Sequence, residues 1–245
     1  LGNSIEHKAS AMLGNDLRIG IVSRAGRLHR AQLRYGVPGL AWPTQPGLVA
    51  ELRVPRINVG TWQGFLARPI LVSPGRKDPS EGLPDLRQIS LETDDLQLGS
   101  EHFANTRIKA VRQDKAWDVQ VRGLQPARWP NWPVTEIATT VLSQGDAWQL
   151  SPLTLKQPLL SFSGSASWGQ PGNGQTLIKG QIDATDIGDV MAQMGIAHAL
   201  SSDSVAASGE LSWPGAPNEF NLSQSSGSVD ATLKQGQDRK STRLN

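Results

Sequence analysis

The chain has no cysteine among its 245 residues. This absence excludes disulfides, thiolate catalysis and cysteine-based zinc sites, although it does not choose a cellular compartment. Long apolar runs are also missing. The apolar stretches are short, as in Ile70-Leu71-Val72, whereas a helix needs about 20 apolar residues to cross a bilayer. The sequence therefore predicts no membrane-spanning helix.

Charge of one sign is not in excess once the end of the chain is considered. The chain has 24 Lys and Arg and 22 Asp and Glu. Residues Arg239 to Asn245 resemble translated sequencing-adapter read-through, so we expect the native chain to stop near Gln237 or Asp238. Without residues 238–245 each sign has 21 charges. A neutral chain with no Lys/Arg-rich run lacks the phosphate-neutralising surface of a nucleic-acid-binding protein.

The beginning of the chain carries no leader signal. Leu1 to Leu17 contains a Met only at position 12 and has no basic segment followed by an apolar run. A signal peptide is therefore not expected here. We interpret the sequence as an interior piece of a longer protein.

Apolar residues alternate with polar ones over most of the chain, and this period of two is typical of β-strands with one apolar face. Residues typical of turns separate the runs at Gln113-Asp114-Lys115 and at Gly169 to Gly174. The pattern predicts a mainly β fold of about a dozen strands in an antiparallel meander. The alternating apolar positions expected on one concave face include Ile89, Leu91, Ile108, Val119, Val121, Leu160, Phe162, Ile178, Ile182 and Leu211.

Two segments have helical rather than strand periodicity. Asp186 to Leu200 repeats its apolar residues at helical spacing, with Asp186 placed as an N-cap and a helix expected over 187–200. A second short helix is predicted at Val59 to Leu66, although two glycines weaken it. Both follow a strand and share the order Asn or Asp, aliphatic, Gly, polar, large apolar. This similarity predicts two copies of one unit.

The composition also predicts how the chain is divided. Residues 67–85 are rich in Pro, Gly and charge and are expected to form a linker or long loop. Residues 1–66 would then end a first β unit, and residues 86–237 would form a second. Residues 238–245 would be the artefactual tail.

Residues that could support catalysis or metal binding are scattered. The four histidines, at positions 7, 29, 102 and 198, have no ligand spacing, so we expect no metal site. Asp94 and Asp95 are adjacent and would point to opposite faces of a strand; we interpret them as solvated turn residues. Asp183, Asp186 and Asp189 are explained by helix capping and the helix dipole. No catalytic motif and no cofactor site is predicted, and the chain is not expected to be an enzyme.

Tryptophan is unusually frequent, with eight residues against one Tyr and four Phe. Trp129, Trp132 and Trp213 lie beside or near proline at predicted strand ends. Such residues could form a sugar-stacking surface. The favoured interpretation is that they seal the rim of an apolar core while the indole N–H reaches a partner.

The second half of the chain resembles a known family. Asp186 to Ile196, followed by Ala207 to Pro217, is similar to the C-terminal region of the AsmA-like proteins, in particular their YhdP branch. Those proteins carry a comparable aspartate-aliphatic-Gly helix, a strand ending in Leu-x-Trp-x-Gly-x-Pro, and a strand like Ser226 to Leu233. The segment from Leu86 to Leu124 resembles their preceding strands. The resemblance extends over about Ile57 to Gly236 and includes no catalytic residues.

The resemblance implies a long, curved, open β-sheet groove that carries phospholipid across the periplasm, between the inner and outer membranes of a Gram-negative bacterium. It also implies an inner-membrane anchor in an N-terminal segment absent from this sequence. The expected partners are phospholipid acyl chains and, at the ends of the whole protein, the two membranes, with no nucleic acid and with protein partners unknown. The ten alternating apolar residues named above would line the groove.

Two other classes of function stay open from the residues alone. Composition by itself favours a closed β-sandwich, which would suit a carbohydrate-binding or adhesive module. An enzyme domain is the third class. A conduit predicts a continuous exposed apolar band, a sandwich predicts a closed core, and a sugar site predicts isolated coplanar tryptophans.

Overall fold

The fold is mainly β, as predicted. A computed structural model describes residues 5–40, 42–61, 85–128, 131–144, 147–169, 174–193 and 204–234. These residues form thirteen strands, and the chain packs as two compact units, Leu1–Arg112 and Gln113–Asn245.

The first unit contains six strands in a single sheet whose order follows the sequence. The strands are β1 (Glu6–Leu13), β2 (Leu17–Arg24), β3 (Arg27–Tyr35), β4 (Gly47–Asn58), β5 (Leu86–Leu98) and β6 (Glu101–Gln113). Strands β1, β2 and β3 form an antiparallel meander, and β5 and β6 form an antiparallel pair. A helical segment, α1, is described at residues 59–61, at the start of the predicted 59–66 helix.

The prediction of an antiparallel sheet is wrong for β4, which pairs in parallel with both β3 and β5. A parallel connection must carry the chain back to the opposite end of the sheet and needs roughly a dozen residues. Residues 36–46 and 59–85, which precede and follow β4, supply that length. Alternation of residue types within strands gives no information about the direction in which neighbouring strands run.

The first crossover lies against one face of the first unit. A β-carbon built at Gly20 of β2 would lie 3.2 Å from a methyl carbon of Leu40 and 3.6 Å from the Trp42 ring. Nη1 of Arg34 donates to the carbonyl oxygens of Pro38 and Gly39, at 2.9 and 2.8 Å. The backbone carbonyls of the crossover therefore obtain partners from a strand arginine.

The second unit is an antiparallel meander throughout. Its strands are β7 (Ala116–Pro126), β8 (Thr135–Gln144), β9 (Ala147–Lys156), β10 (Leu160–Trp168), β11 (Gln175–Thr185), β12 (Ser204–Pro214) and β13 (Ser226–Lys234). Strands β10 and β11, which flank the predicted hairpin loop at 169–174, are paired antiparallel, and residues 170–173 of that loop lie outside the described residues. A turn at residues 114–115 precedes β7. Helix α2 (Ile187–Gln193) lies between β11 and β12.

The two helical segments are capped in the same way. Oδ1 of Asn58 accepts a hydrogen bond from the backbone N–H of Thr61, and Oδ1 of Asp186 accepts one from that of Asp189, both at 3.1 Å. An N-cap side chain satisfies a backbone donor that has no partner within the helix. The predicted N-cap role of Asp186 is confirmed, and the shared motif makes the same hydrogen bond at both helices, although of the two caps Asp186 alone has a positive φ.

Several predicted features lie outside the described residues. These are the linker at 67–84, the later part of the predicted helices, at 62–66 and 194–200, and the tail at 238–245. The boundary between the two compact units falls between Arg112 and Gln113 in the sequence. The expected division into residues 1–66 and 86–237 stays a prediction.

Each unit has a single sheet in the residues that the structure describes, so the closed sandwich favoured by composition is wrong. Full burial is correspondingly rare. The buried apolar residues are Val22, Ala31, Ile57, Leu91, Leu96, Ala166, Ala184, Val190 and Trp213. Large apolar side chains elsewhere in the strands keep substantial contact with solvent.

Candidate functional site

The register of the second unit places apolar side chains on one face across all seven strands. Directly paired residues, and alternate residues along a strand, point to the same side of a sheet. This face is called the apolar face below. It carries Trp117, Val119 and Val121 from β7, Ile137, Thr139 and Val141 from β8, and Trp148, Leu150, Leu153 and Leu155 from β9. It continues with Leu160, Phe162, Gly164, Ala166 and Trp168, then Thr176, Ile178, Gly180, Ile182 and Ala184. It ends with Val205, Ala207, Gly209, Leu211 and Trp213, and with Gly227, Val229, Ala231 and Leu233.

Seven of the predicted site residues therefore share this face. They are Val119, Val121, Leu160, Phe162, Ile178, Ile182 and Leu211. The polar side chains among the paired positions of the apolar face include Thr135, Thr139, Ser143 and Thr176, and the three threonines are buried. A contact with lipid at these positions stays a prediction.

The opposite face of the same strands is polar. Ser161, Ser163, Ser165 and Ser167 alternate with the apolar residues of β10, and Lys179, Gln181 and Asp183 do so on β11. Lys179 and Glu210 form an ion pair there, with 2.7 Å between Nζ and Oε2. The sheet thus separates an apolar side from a solvated side.

The apolar face is open to solvent over part of its area. Trp148 and Ile182 are each 41% exposed, and Val229 and Leu233 of β13 are 70% and 53% exposed. A soluble protein rarely leaves a contiguous apolar surface exposed unless that surface binds something. The exposure and the continuity of this face make it the candidate site.

The first unit has a comparable apolar side that includes the other three predicted site residues. Ile89 pairs with Ala110, and Leu91 pairs with Ile108. Strand β4 extends this side through Ala50 and Leu52, which pair with Ile89 and Leu91. Leu91 is buried, and Ile89 and Ile108 are partly buried.

A row of glycines crosses the apolar face at mid-strand. Gly164, Gly180 and Gly209 are directly paired across β10, β11 and β12. A β-carbon at Gly180 would lie 2.6 Å from two carbons of the Phe162 ring and 2.5 Å from the carbonyl oxygen of Ser163. Glycine within a strand often marks a bend or a close approach of another backbone. The Phe162 ring occupies the space that a side chain would otherwise take.

Tryptophans border the apolar face at one end of the strands. Trp117 and Trp148 are second residues of β7 and β9, Trp168 is the last residue of β10, and Trp213 is next to last in β12. We call these four residues the tryptophan rim. The rings of Trp148 and Trp168 are stacked, with 6.0 Å between centroids and 11° between planes.

Trp213 seals its part of the rim, as predicted. Its indole N–H donates to the carbonyl oxygen of Ala216 at 3.1 Å, and the side chain is buried. The ring of Phe220 meets it edge-on at 5.1 Å between centroids. Trp148 differs because its ring stays exposed.

The interpretation of Asp94 and Asp95 as turn residues is wrong. Both lie within β5, and Asp95 accepts from Nε of Arg56 at 2.7 Å and lies 2.9 Å from Nδ1 of His102. The contact with His102, followed by that with Arg56, holds the pKa of Asp95 below its ordinary value. Pairing of β5 with β6 brings His102 near Asp95, which residue spacing alone did not reveal.

No other chemical site emerges within the part of the chain that the structure describes. No group of three or more His, Asp or Glu residues is placed to bind a metal ion there. Over the same residues, no helix combines the length and the apolar character needed to cross a bilayer.

Comparison with known families agrees with the resemblance seen in the sequence. The family model described as YhdP protein matches residues 130–242. Over this segment the chain is similar to the YhdP family. The YhdP segment includes strands β8 to β13 and helix α2, and hence most of the apolar face. No curated protein and no solved structure matches the chain.

Sequence reasoning missed several residues of the apolar face in the YhdP segment. Leu153 and Leu155 alternate with Thr154 and pair with the predicted Phe162 strand. Their alternation was a usable signal. Leu150 and Leu153 are three residues apart, yet β-bulges place both side chains on the apolar face. The alternation of residue types does not reveal these bulges.

Proposed function

We propose that this chain is a segment of a periplasmic conduit that moves phospholipid between the inner and outer membranes of a Gram-negative bacterium, with acyl chains on the apolar face. The observation that carries the proposal is the continuous apolar face of a single-layer sheet, part of which is exposed. The match of the YhdP family model to residues 130–242 supports it. The whole protein would be held in the inner membrane by a segment outside this sequence.

The energetics suit this role. Each acyl CH₂ removed from water contributes about 0.8 kcal/mol, so a 16-carbon chain needs on the order of 12 kcal/mol of apolar shelter. The paired rows of Ile, Leu, Val and Ala offer that shelter without a directional polar contact. Because each step along the rows exchanges similar contacts, an acyl chain can move from strand to strand at little cost.

The carbohydrate-binding or adhesive module is the weaker alternative. It required a closed sandwich or separate coplanar tryptophans, whereas each unit has one sheet and the rings of Trp148 and Trp168 are stacked on each other. The described residues also offer no catalytic constellation. Neither a sugar site nor an enzyme explains why one entire face is apolar.

A charge on the apolar face tests the proposal. Ile182→Asp is suitable because Ile182 is 41% exposed, so its carboxylate can stay hydrated in the lipid-free protein. Ser163→Asp is the matched control, since Ser163 is exposed on the polar face of the neighbouring strand. Each protein is incubated with vesicles of phosphatidylethanolamine and phosphatidylglycerol and then separated from them, and bound phospholipid is measured as phosphorus per chain.

We expect Ile182→Asp to lose most of the bound phospholipid while keeping its melting temperature, because an acyl chain would have to desolvate the carboxylate. Ser163→Asp should retain both properties. In a closed core the same charge would instead cost several kcal/mol of a total stability of about 5 to 15 kcal/mol. Equal phospholipid binding by the two variants, or none by the unmodified chain, would refute the proposal.

A further inference from the structure

The tryptophan rim marks one lateral border of the apolar face. Trp148, Trp168 and Trp213 follow one another across β9, β10 and β12, with Thr176 of β11 in the gap between the last two. Trp117 of β7 lies one row further from the strand ends, since it pairs with Val141, whereas Ser143 of β8 pairs with Trp148. The border therefore runs across the strands, parallel to the rows of aliphatic residues.

The opposite border of these strands differs in chemistry. Leu160, Ala184, Val205 and Leu233 form the corresponding row at the other ends of β10 to β13. Helix α2 follows β11 at this end, and its Val190 is buried. Along β10 to β12 the aromatic and aliphatic borders thus face each other across the glycine row.

Tryptophan suits a boundary between apolar and aqueous surroundings, because its ring is apolar and its indole N–H is a donor. In the described residues, the N–H of Trp213 is used within the protein, whereas the exposed Trp148 ring contacts only the Trp168 ring among the aromatic side chains. The packing of an aliphatic core does not explain why two large amphipathic rings, those of Trp148 and Trp168, lie at an exposed strand end.

The spacing of the rows fits one acyl chain. Thr176, in the rim row, and Ile182, near the far border, are six residues apart on β11, which corresponds to about 20 Å along a strand. The hydrocarbon of one bilayer leaflet is about 15 Å deep, half of the total thickness. An acyl chain of that depth that starts at the tryptophan rim therefore passes Gly180 and ends on the face within about 5 Å of Ile182.

The geometry points to a fixed orientation of the bound phospholipid: the headgroup and glycerol lie along the tryptophan rim, and the acyl chains extend along the strands toward Ile182. This inference rests on the proposed function, since it concerns the same lipid on the same face. It assigns Trp148 and Trp168 to the headgroup side of the path as positioning residues. Lipid would then move along the rim with its headgroup always at one border.

Photo-crosslinking at matched positions tests the orientation. p-Benzoylphenylalanine replaces Trp148 in one full-length chain and Ile182 in another, two positions that are each 41% exposed on the apolar face. Ser163 on the polar face is the control position. The chains are irradiated with vesicles of phosphatidylethanolamine and phosphatidylglycerol, and the adducts are treated with mild alkali, which cleaves the acyl esters. Mass spectrometry then shows whether a fatty acid or a glycerophosphate fragment stays attached.

We expect glycerophosphate fragments to exceed fatty acids at position 148 by at least about threefold, the reverse ratio at position 182, and no adduct at position 163. Fatty-acid adducts in equal proportion at positions 148 and 182, or a glycerophosphate adduct at position 182, would overturn the proposed orientation of the lipid. Either result would still support the conduit. The absence of adducts at both positions, in chains that melt like the unmodified protein, would overturn the conduit and the orientation together. If the Trp148 replacement does not fold, Trp168 on the paired strand replaces it as the rim position, with the same outcomes.

Discussion

The ring of Phe162 lies over the backbone of Gly180 on the neighbouring strand. Two ring carbons are 2.6 Å from the place where a β-carbon of Gly180 would be, and the carbonyl oxygen of Ser163 is 2.5 Å from it. Real β-carbons do not approach other atoms so closely. The aromatic ring thus packs against a strand that has no side chain at this position, an arrangement known to stabilise glycine within sheets.

Gly180→Ala should destabilise the second unit by about 1 to 3 kcal/mol, because the new methyl group overlaps both the ring and a backbone oxygen. Adding Phe162→Ala should not restore stability, since the conflict with the Ser163 carbonyl persists. Gly169→Ala is the control, because the nearest atom there is at an ordinary 3.5 Å. Urea unfolding gives the three free energies. A Gly180→Ala variant as stable as Gly169→Ala would contradict the packing described.

Substitutions of Asp186, the N-cap of α2, should separate the effect of its hydrogen bond from the effect of its positive φ. Asp186 accepts from the N–H of Asp189 and has a φ of 55°. Asp186→Ala loses the hydrogen bond and puts alanine, which tolerates the left-handed region less well than aspartate, at this φ, so we expect a loss of about 1 to 2 kcal/mol. Asp186→Gly loses only the hydrogen bond, and Asp186→Asn should retain both properties. Thermal melts should rank Asn above Gly and Gly above Ala. A glycine variant less stable than the alanine variant would show that φ is not a constraint.

The contribution of Asp95 should depend on pH in a defined direction. Its pKa is lowered below 3.8 in the folded protein, chiefly by His102 and then by Arg56. The ionised Asp95 side chain therefore stabilises the folded protein above about pH 3.8, the ordinary pKa of the group. This contribution disappears as the pH falls through the lowered pKa of the folded protein. Asp95→Asn should melt below the unmodified chain at pH 6, and this difference should shrink between about pH 4 and pH 2. Asp94→Asn, at the exposed neighbouring position, is the control. A difference that grows on acidification would contradict the assignment.

Arg34 should be irreplaceable by lysine. Its guanidinium donates to Glu51 through Nε at 2.8 Å and to two crossover carbonyls through Nη1, and its side chain is only 16% exposed. Lysine has a single ammonium group and cannot reproduce that planar arrangement. We expect Arg34→Lys to cost about 1.5 to 3 kcal/mol in urea unfolding. Arg107→Lys should cost less than about 0.5 kcal/mol, because its ion pair with Glu92 is exposed and 3.6 Å long. Equal losses would show that the crossover does not depend on Arg34.

The sequence predicted the strands and the apolar face well because both depend on a local pattern. A residue two positions away lies on the same side of a strand whatever its partner, so alternation alone assigns Phe162 and Ile182 to a face. Pairing then aligns these faces, since an antiparallel hairpin with a short loop has little freedom of register. The family resemblance suggested the proposed function, which alternation cannot supply.

The errors concern relationships between distant residues. The parallel pairing of β4 depends on crossovers whose paths no local pattern encodes. Asp95 was misplaced because adjacent acidic residues favour turns on average, whereas here Arg56 and His102 compensate the charge from neighbouring strands. On β5 the buried residues Leu91 and Thr93 are two positions apart, whereas the next buried residue, Leu96, is three positions further on. Simple alternation does not anticipate this change of spacing.

Strands β7 to β13 lie side by side in the order of the sequence, so the width of this sheet depends directly on the number of strands. Neighbouring strands are about 4.8 Å apart, so the seven strands cover about 29 Å measured across them, and one more hairpin adds about 10 Å. Every strand pairs only with its predecessor and successor in this stretch, so a hairpin can be duplicated or deleted without re-pairing the others. Homologous chains of different length are therefore expected to differ by whole hairpins, each of which repeats the same alternation of apolar and polar residues.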